Sequence, residues 1–191
     1  VAGEITGRTG GKMSEIMAII KARKSIRAYQ DKPLPEKVIK NILEAAKHAP
    51  TARNLQELEY KVITNKLLIG KLSDGIANVL QTGGMPLKSP PGAKPDFFHG
   101  APLVIIVAAP RDNAFALTDA ALAMQNIMLY ATSIKLGSCY IGMAQLIERD
   151  KNLLNMLHIT DNMAIVAAVI CGYPAENPEP KEKRQTVEFF E

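Results

Sequence analysis

Apolar positions recur along the chain with two different periods, and the period separates helices from strands. Ile16, Ile19 and Ile20 form one face of a first helix, which Ser14 is placed to cap and which runs into Lys21-Ala22-Arg23-Lys24. A second helix has Pro35 at its first turn, Val38, Ile39, Ile42, Leu43 and Ala46 at helical spacing, and Pro50 as its stop. Residues 59–64 read as a strand. The pattern weakens over residues 65–100, and residues 85–102 hold Pro86, Pro90, Pro91, Pro95 and Pro102 with two glycines. That composition predicts a long loop, of the kind that often serves as a lid or binding element.

Residues 103–109 are continuously apolar, as in a strand buried on both faces. A long helix follows over residues 116–135, ended by Gly137; it is apolar nearly all round, which predicts a central, buried helix. Residues 138–143 read as a short strand or turn, 147–157 as a helix and 163–171 as another buried strand. After Gly172-Tyr173-Pro174 comes a proline- and charge-rich arm ending in Val187-Glu188-Phe189-Phe190-Glu191. Apolar residues in such an extended tail suit packing against a partner subunit. The element order is not a regular βαβ alternation and predicts an α+β sandwich. One domain is expected over residues 13–191, with 173–191 as a C-terminal arm. Met13-Ser14-Glu15-Ile16 reads as a natural start, so the glycine-rich residues 1–12 are expected to be a tag or lead outside the fold.

A chain of 191 residues can bury a real core, and 47% hydrophobic with 22% charged residues is ordinary for a soluble globular protein. The net charge of +4 suits an anionic ligand or a solvated surface and is too small to indicate nucleic acid. Two cysteines, Cys139 and Cys171, make neither a disulfide framework nor a zinc spacing, so no metal is expected. Their apolar neighbours suit small packed hydrophobes and a reduced, cytoplasmic setting. The longest apolar run, residues 163–171, is too short to cross a bilayer, and residues 1–12 lack the apolar core of a signal peptide.

Four clusters have the residue types for chemistry, and each has a plain structural reading beside the functional one. Arg23-Lys24-Ser25-Ile26-Arg27 complements a helix C-terminus, or grips a phosphate with guanidinium groups and a hydroxyl. Ala49-Pro50-Thr51-Ala52-Arg53-Asn54-Leu55-Gln56 stops a helix, yet its carboxamides can donate and accept at once along a heterocycle edge. Gly137-Ser138-Cys139-Tyr140-Ile141-Gly142 is a connection, or a place where backbone approaches a flat ligand closely. Lys181-Glu182-Lys183-Arg184 in isolation is a solvated charge run.

The order and spacing of these clusters resemble the nitroreductase family of flavin enzymes over residues 16–191. The resemblance rests on the Arg23 to Arg27 motif, on Ala49 to Gln56, on Asp119 to Gly142, and on Gly172-Tyr173-Pro174 followed by the basic tail. It implies a central, mostly antiparallel sheet flanked by helices, and a homodimer with exchanged C-terminal arms and FMN at the interface. By analogy Arg23, Lys24, Ser25 and Arg27 hold the phosphate, ribityl chain and pyrimidine edge. Pro50, Thr51, Ala52 and Asn54 come from the other subunit. Tyr140, Ile141 and Gly142 line the ring, and Lys181, Lys183 and Arg184 close on the phosphate. No side chain is expected to be catalytic in its own right, because the chemistry lies on FMN; Arg27 is the candidate electrostatic stabiliser. The implied activity is reduction of nitro compounds, quinones or similar electron-poor acceptors with NAD(P)H or another donor by a ping-pong scheme. Alternatives are a specialised dehalogenating or flavin-destroying member, whose dedicated lid over the flavin the short loop of residues 85–102 argues against, and a non-catalytic flavin-binding protein. Two departures stand out. Glu57-Leu58 occupies the place of the usual Pro-Trp, and Thr51 that of the usual Ser.

Overall fold

The computed structural model describes residues 14–86, 94–179 and 182–190, and the expected lead over residues 1–12 lies outside them. Four strands make one antiparallel sheet, β1 (Glu59–Ile63), β2 (Leu103–Pro110), β3 (Gly137–Tyr140) and β4 (Met163–Gly172), in the order β1-β2-β4-β3. Around it stand α1 (Glu15–Ala22), α2 (Glu36–Lys47), α3 (Lys66–Thr82), α4 (Ala116–Ser133) and α5 (Lys151–Met156). The architecture is the expected α+β sandwich.

The central strands β2 and β4 are buried on both faces, as their unbroken apolar runs require. Alternation along β2 sends Val104, Ile106 and Ala108 toward α3 and α5, and Leu103, Ile105 and Val107 toward α2 and α4. The sheet is therefore the middle of three layers. Register slips between Val107 and Ala108, which pair with Ala167 and Ile165 and leave Val166 as the extra residue of a bulge. The Gln145 side-chain amide donates to the Val166 carbonyl at 3.3 Å.

Several expectations needed correction. Helix α3 lies in the weakly patterned stretch; Asn65 caps it by accepting the Leu68 N–H, and Ile69, Leu72, Ile76 and Leu80 give it a buried face. The helix expected over residues 147–157 is divided. A 3-10 turn over Gly142–Arg149 precedes α5, and Asp150 intervenes in an extended conformation to cap α5. Pro35 is the N-cap of α2, one step before its first turn. Residues 94–102 of the proline-rich stretch form a loop anchored by the fully buried Phe98, whose N–H donates to Asp96; residues 87–93 lie outside the described set.

Helix α4 is buried on one face only. Asp119, Ala120, Ala123, Met124 and Ile127 are inside, while Leu117 is 62% and Leu122 is 41% exposed. Helix α1 has no buried residue at all, and Ile16 is 70% exposed. The described residues leave these apolar faces uncovered. No helix among the described residues is long and apolar enough to cross a membrane.

Candidate functional site

Ser14 starts α1 by accepting the Met17 N–H at 3.2 Å, and the helix ends at Arg23, whose N–H donates to the Ile19 carbonyl. The chain then straightens and docks on the free edge of β3. Ser25 bridges Ser138, and the Ile26 N–H donates to the Ser138 carbonyl at 3.0 Å. Gly137 makes the docking possible, because a Cβ there would stand 2.8 Å from the Ile26 side chain. The first and third sequence clusters are thereby joined in one place.

Arg23, Lys24 and Ser25 are half-buried in this segment and Arg27 is exposed. Among the described residues, no carboxylate forms an ion pair with the side chains of Arg23, Lys24 or Arg27. Across the bridge, the buried Ser138 hydroxyl has no hydrogen-bond partner among those residues. A buried polar atom left unpaired costs about 1–3 kcal/mol, so this hydroxyl is one a ligand can satisfy. Below the segment Tyr29 donates its phenol proton to the Ile26 carbonyl at 2.7 Å; burial raises its pKa, and the neighbouring Cys171, Cys139 and Glu176 add to the rise. His99 is pushed below the ordinary imidazole range, chiefly by burial and further by Arg27, against Asp96 and Glu176.

At the far end of β3 the three expected ring-lining residues differ. Tyr140 is 42% exposed and Gly142 is exposed, so both present a face to a ligand. Ile141 is buried in the core, and its N–H already donates to the Ala168 carbonyl at 2.9 Å. Its side chain and its amide are both committed within the fold.

The second cluster stands elsewhere. The Ala52 N–H donates at 3.0 Å to Asp119, a carboxylate buried in the first turn of α4. Arg53 lies over the Phe115 ring at 5.7 Å. Asn113 donates to Glu57 at 3.0 Å, which gives the acid at the departed position a structural partner. Arg53, Asn54 and Gln56 all have φ near +55°, the left-handed region that side chains other than glycine rarely adopt. The carboxamides of Asn54 and Gln56 engage each other, Gln56 Nε2 donating to Asn54 Oδ1 at 2.8 Å. Thr51 Oγ1 accepts the Gln56 N–H, and Pro50 is exposed.

Asp119 holds the 50–54 loop from α4 through the Ala52 N–H. We predict that Asp119→Ala lowers stability by about 1–3 kcal/mol, since it orphans the Ala52 N–H, while Asp119→Asn keeps much of the loss back. Thermal unfolding together with amide exchange at Ala52 checks this.

Helix α4 separates the two halves. The Pro50 to Asn54 loop is tied to Asp119 at its start, and the Arg23 to Arg27 segment docks beside Gly137 just past its end. At 1.5 Å per residue the separation along the helix is about 20 Å. One chain does not bring these clusters together. Nor does it bring in the basic tail: Arg184 pairs at 3.6 Å with Glu182, Lys183 is exposed, and Lys181 lies outside the described residues.

With this geometry in view, comparison with known proteins is specific. The family model described as "Nitroreductase family" matches residues 20–173. A Methanothermobacter thermautotrophicus protein, provisionally named an NADH dehydrogenase/NAD(P)H nitroreductase, is 30% identical over 94% of this chain and 88% of its own length. Among solved structures, a nitroreductase with bound FMN from Bacteroides fragilis superposes with a TM-score of 0.80 at 26% identity, covering 94% of this chain and 100% of that one. A second FMN-bound nitroreductase, from Desulfitobacterium hafniense, gives a TM-score of 0.80 at 25% identity, again over 94% of this chain and 100% of that one. The motif order read from the sequence, the docking of Arg23 to Arg27 on β3 and these likenesses agree, and the chain belongs to the nitroreductase family.

Proposed function

We propose that the chain is an FMN-dependent oxidoreductase, using NAD(P)H to reduce nitro compounds, quinones or similar electron-poor acceptors, and that it works as a homodimer. The observation that carries this reading is the bridge that sets the cationic Arg23 to Arg27 segment against β3. The residues present fit FMN. Three cations free of carboxylate partners among the described residues, the Ser25 hydroxyl and the unpaired Ser138 hydroxyl make a donor set for a phosphomonoester on a hydroxylated chain.

Bound FMN supplies the redox chemistry, accepting a hydride equivalent and passing electrons to the acceptor. In this reading the protein's share is grip and field. Arg23, Lys24 and Ser25 hold the phosphate and ribityl chain, and Lys181, Lys183 and Arg184 close over them. Arg27 places positive charge where negative charge develops on reduction. Tyr140 and Gly142 face the ring, while Ile141 sets their position from the core. The Pro50, Thr51, Ala52 and Asn54 loop of a second subunit completes the site, which is the simplest use of two half-sites held about 20 Å apart. The uncovered faces of α1 and α4 and the exposed arm supply the subunit contacts.

Titration of the purified chain with FMN tests the reading: one flavin bound per subunit is expected, and tight FAD binding without FMN binding sinks it. Arg23→Ala should weaken FMN binding about ten- to a hundredfold through a lost charge-assisted phosphate contact. Arg27→Ala should instead lower the flavin midpoint potential at saturating FMN, by about 30 mV, because its partner carries charge only when reduced. If Arg23→Ala shifts the potential and Arg27→Ala does not, the two roles are reversed.

A further inference from the structure

We propose that Glu176 and Asn177, at the root of the C-terminal arm, are positioning residues that lock the phosphate-gripping segment and couple flavin binding to the placement of the arm. This deepens the FMN reading and rests on it. Past Gly172 the chain leaves the sheet and runs alongside residues 28–30. The Gln30 N–H donates to the Tyr173 carbonyl at 2.9 Å, the Ala175 N–H donates to the Ala28 carbonyl at 2.9 Å, and Gln30 Nε2 donates to the Pro174 carbonyl at 3.0 Å. Immediately afterwards side chains replace backbone. The Arg27 N–H donates to Glu176 Oε1, and Lys24 Nζ donates to Asn177 Oδ1 at 3.1 Å.

The two contacts fall on residues of the grip itself, one a backbone amide and the other an ammonium. They also run against simple electrostatics, since Glu176 puts a negative charge beside cations meant for a phosphate. A carboxylate there is a poor neighbour for the ligand and a good acceptor for a backbone N–H. Its contribution is therefore geometric. It holds Arg27 in one conformation, and a neutral acceptor of the same shape can do the same without the repulsion. Only Pro178, Glu179 and Pro180 separate this pair in sequence from the basic part of the arm, so the placement of the arm bears directly on residues 24–27. Coupling of this kind is reciprocal: assembly must tighten FMN binding by the same factor by which FMN tightens assembly.

The experiment uses the full chain and three variants, Glu176→Ala, Glu176→Gln and Asn177→Ala. FMN dissociation constants come from flavin fluorescence, and subunit dissociation constants, with and without FMN, from analytical ultracentrifugation. Glu176→Ala should bind FMN about 3- to 10-fold more weakly, with the unfolding temperature of the flavin-free protein unchanged and the effect of FMN on assembly reduced by the same factor. Glu176→Gln should restore binding to at least the original strength. Asn177→Ala, which alters one exposed contact, should weaken binding about two- to fivefold and carries the test should Glu176→Ala not fold. Tighter binding in both Glu176 variants makes the carboxylate a mere competitor of the phosphate and overturns the proposal, as does unchanged binding in all three. No FMN binding by the original chain overturns the underlying reading as well; normal binding with inert substitutions overturns this inference alone.

Discussion

Gly137→Ala is expected to cost the protein both stability and flavin. The added Cβ would lie 2.8 Å from Ile26 Cγ2 and 2.9 Å from Ile26 Cβ, and the latter is fixed to the backbone and cannot rotate away. The segment carrying Arg23, Lys24, Ser25 and Arg27 must then lift from β3, breaking the Ile26 to Ser138 hydrogen bond. Overpacking of this kind typically costs 1–3 kcal/mol, about 2–12 °C in unfolding temperature for a chain of this size. FMN affinity should fall by tenfold or more, roughly the loss of one charge-assisted contact. Gly142→Ala is the control for stability, because a Cβ there meets only Tyr140, at an ordinary 3.7 Å. Equal unfolding temperatures for the two variants would remove Gly137 from the account of the site.

On the proposed function, truncation after Arg184 should weaken the dimer and release its flavin. Val187 is 57%, Phe189 is 89% and Phe190 is 91% exposed, so the tail gains little from the rest of the described chain. Burying three such side chains on a partner is worth about 4 kcal/mol or more, and about three orders of magnitude in the subunit dissociation constant. Light scattering over a dilution series, with flavin absorbance in the same fractions, reads both effects. A truncated protein that stays dimeric and yellow at nanomolar concentration would show that α1 and α4 suffice for assembly.

Much of the fold is legible because α2 shows one clean helical period and β2 and β4 are unbroken apolar runs. Helix α3 lies where the sequence pattern weakens although Ile69, Leu72, Ile76 and Leu80 have helical spacing, and Gly70 and Gly75 within it lower the local helix propensity. Gly75 is in fact a packing position. A Cβ there would meet Leu153 Cδ1 at 2.2 Å, so the glycine lets α5 approach. That reason belongs to tertiary structure and leaves no local trace. The outward face of α4 was misjudged for a related cause: apolar character reports burial, but not whether the cover comes from the same chain. Among the candidate clusters, Arg23 to Arg27 and Gly137 to Gly142 are visible as motifs, and the bridge between Ser25 and Ser138 is what brings them together. Glu176 and Asn177 were invisible. They stand in a charged, proline-rich arm, and only the return of that arm onto residues 24–30 distinguishes them from solvated neighbours.

The left-handed turn at Arg53, Asn54 and Gln56 bears on how the protein tolerates change. Asparagine adopts that conformation readily, but arginine and glutamine each give up about 1 kcal/mol relative to glycine there. The loop is thus a reserve of unclaimed stability, and glycine at positions 53 or 56 draws on it at the expense of the guanidinium over Phe115 and the carboxamide on Asn54. A selection for heat resistance alone should drift toward glycine at these two positions, and a selection for turnover should hold the original residues. On the proposed function, that pair of outcomes would make this one short turn a place where robustness and activity compete.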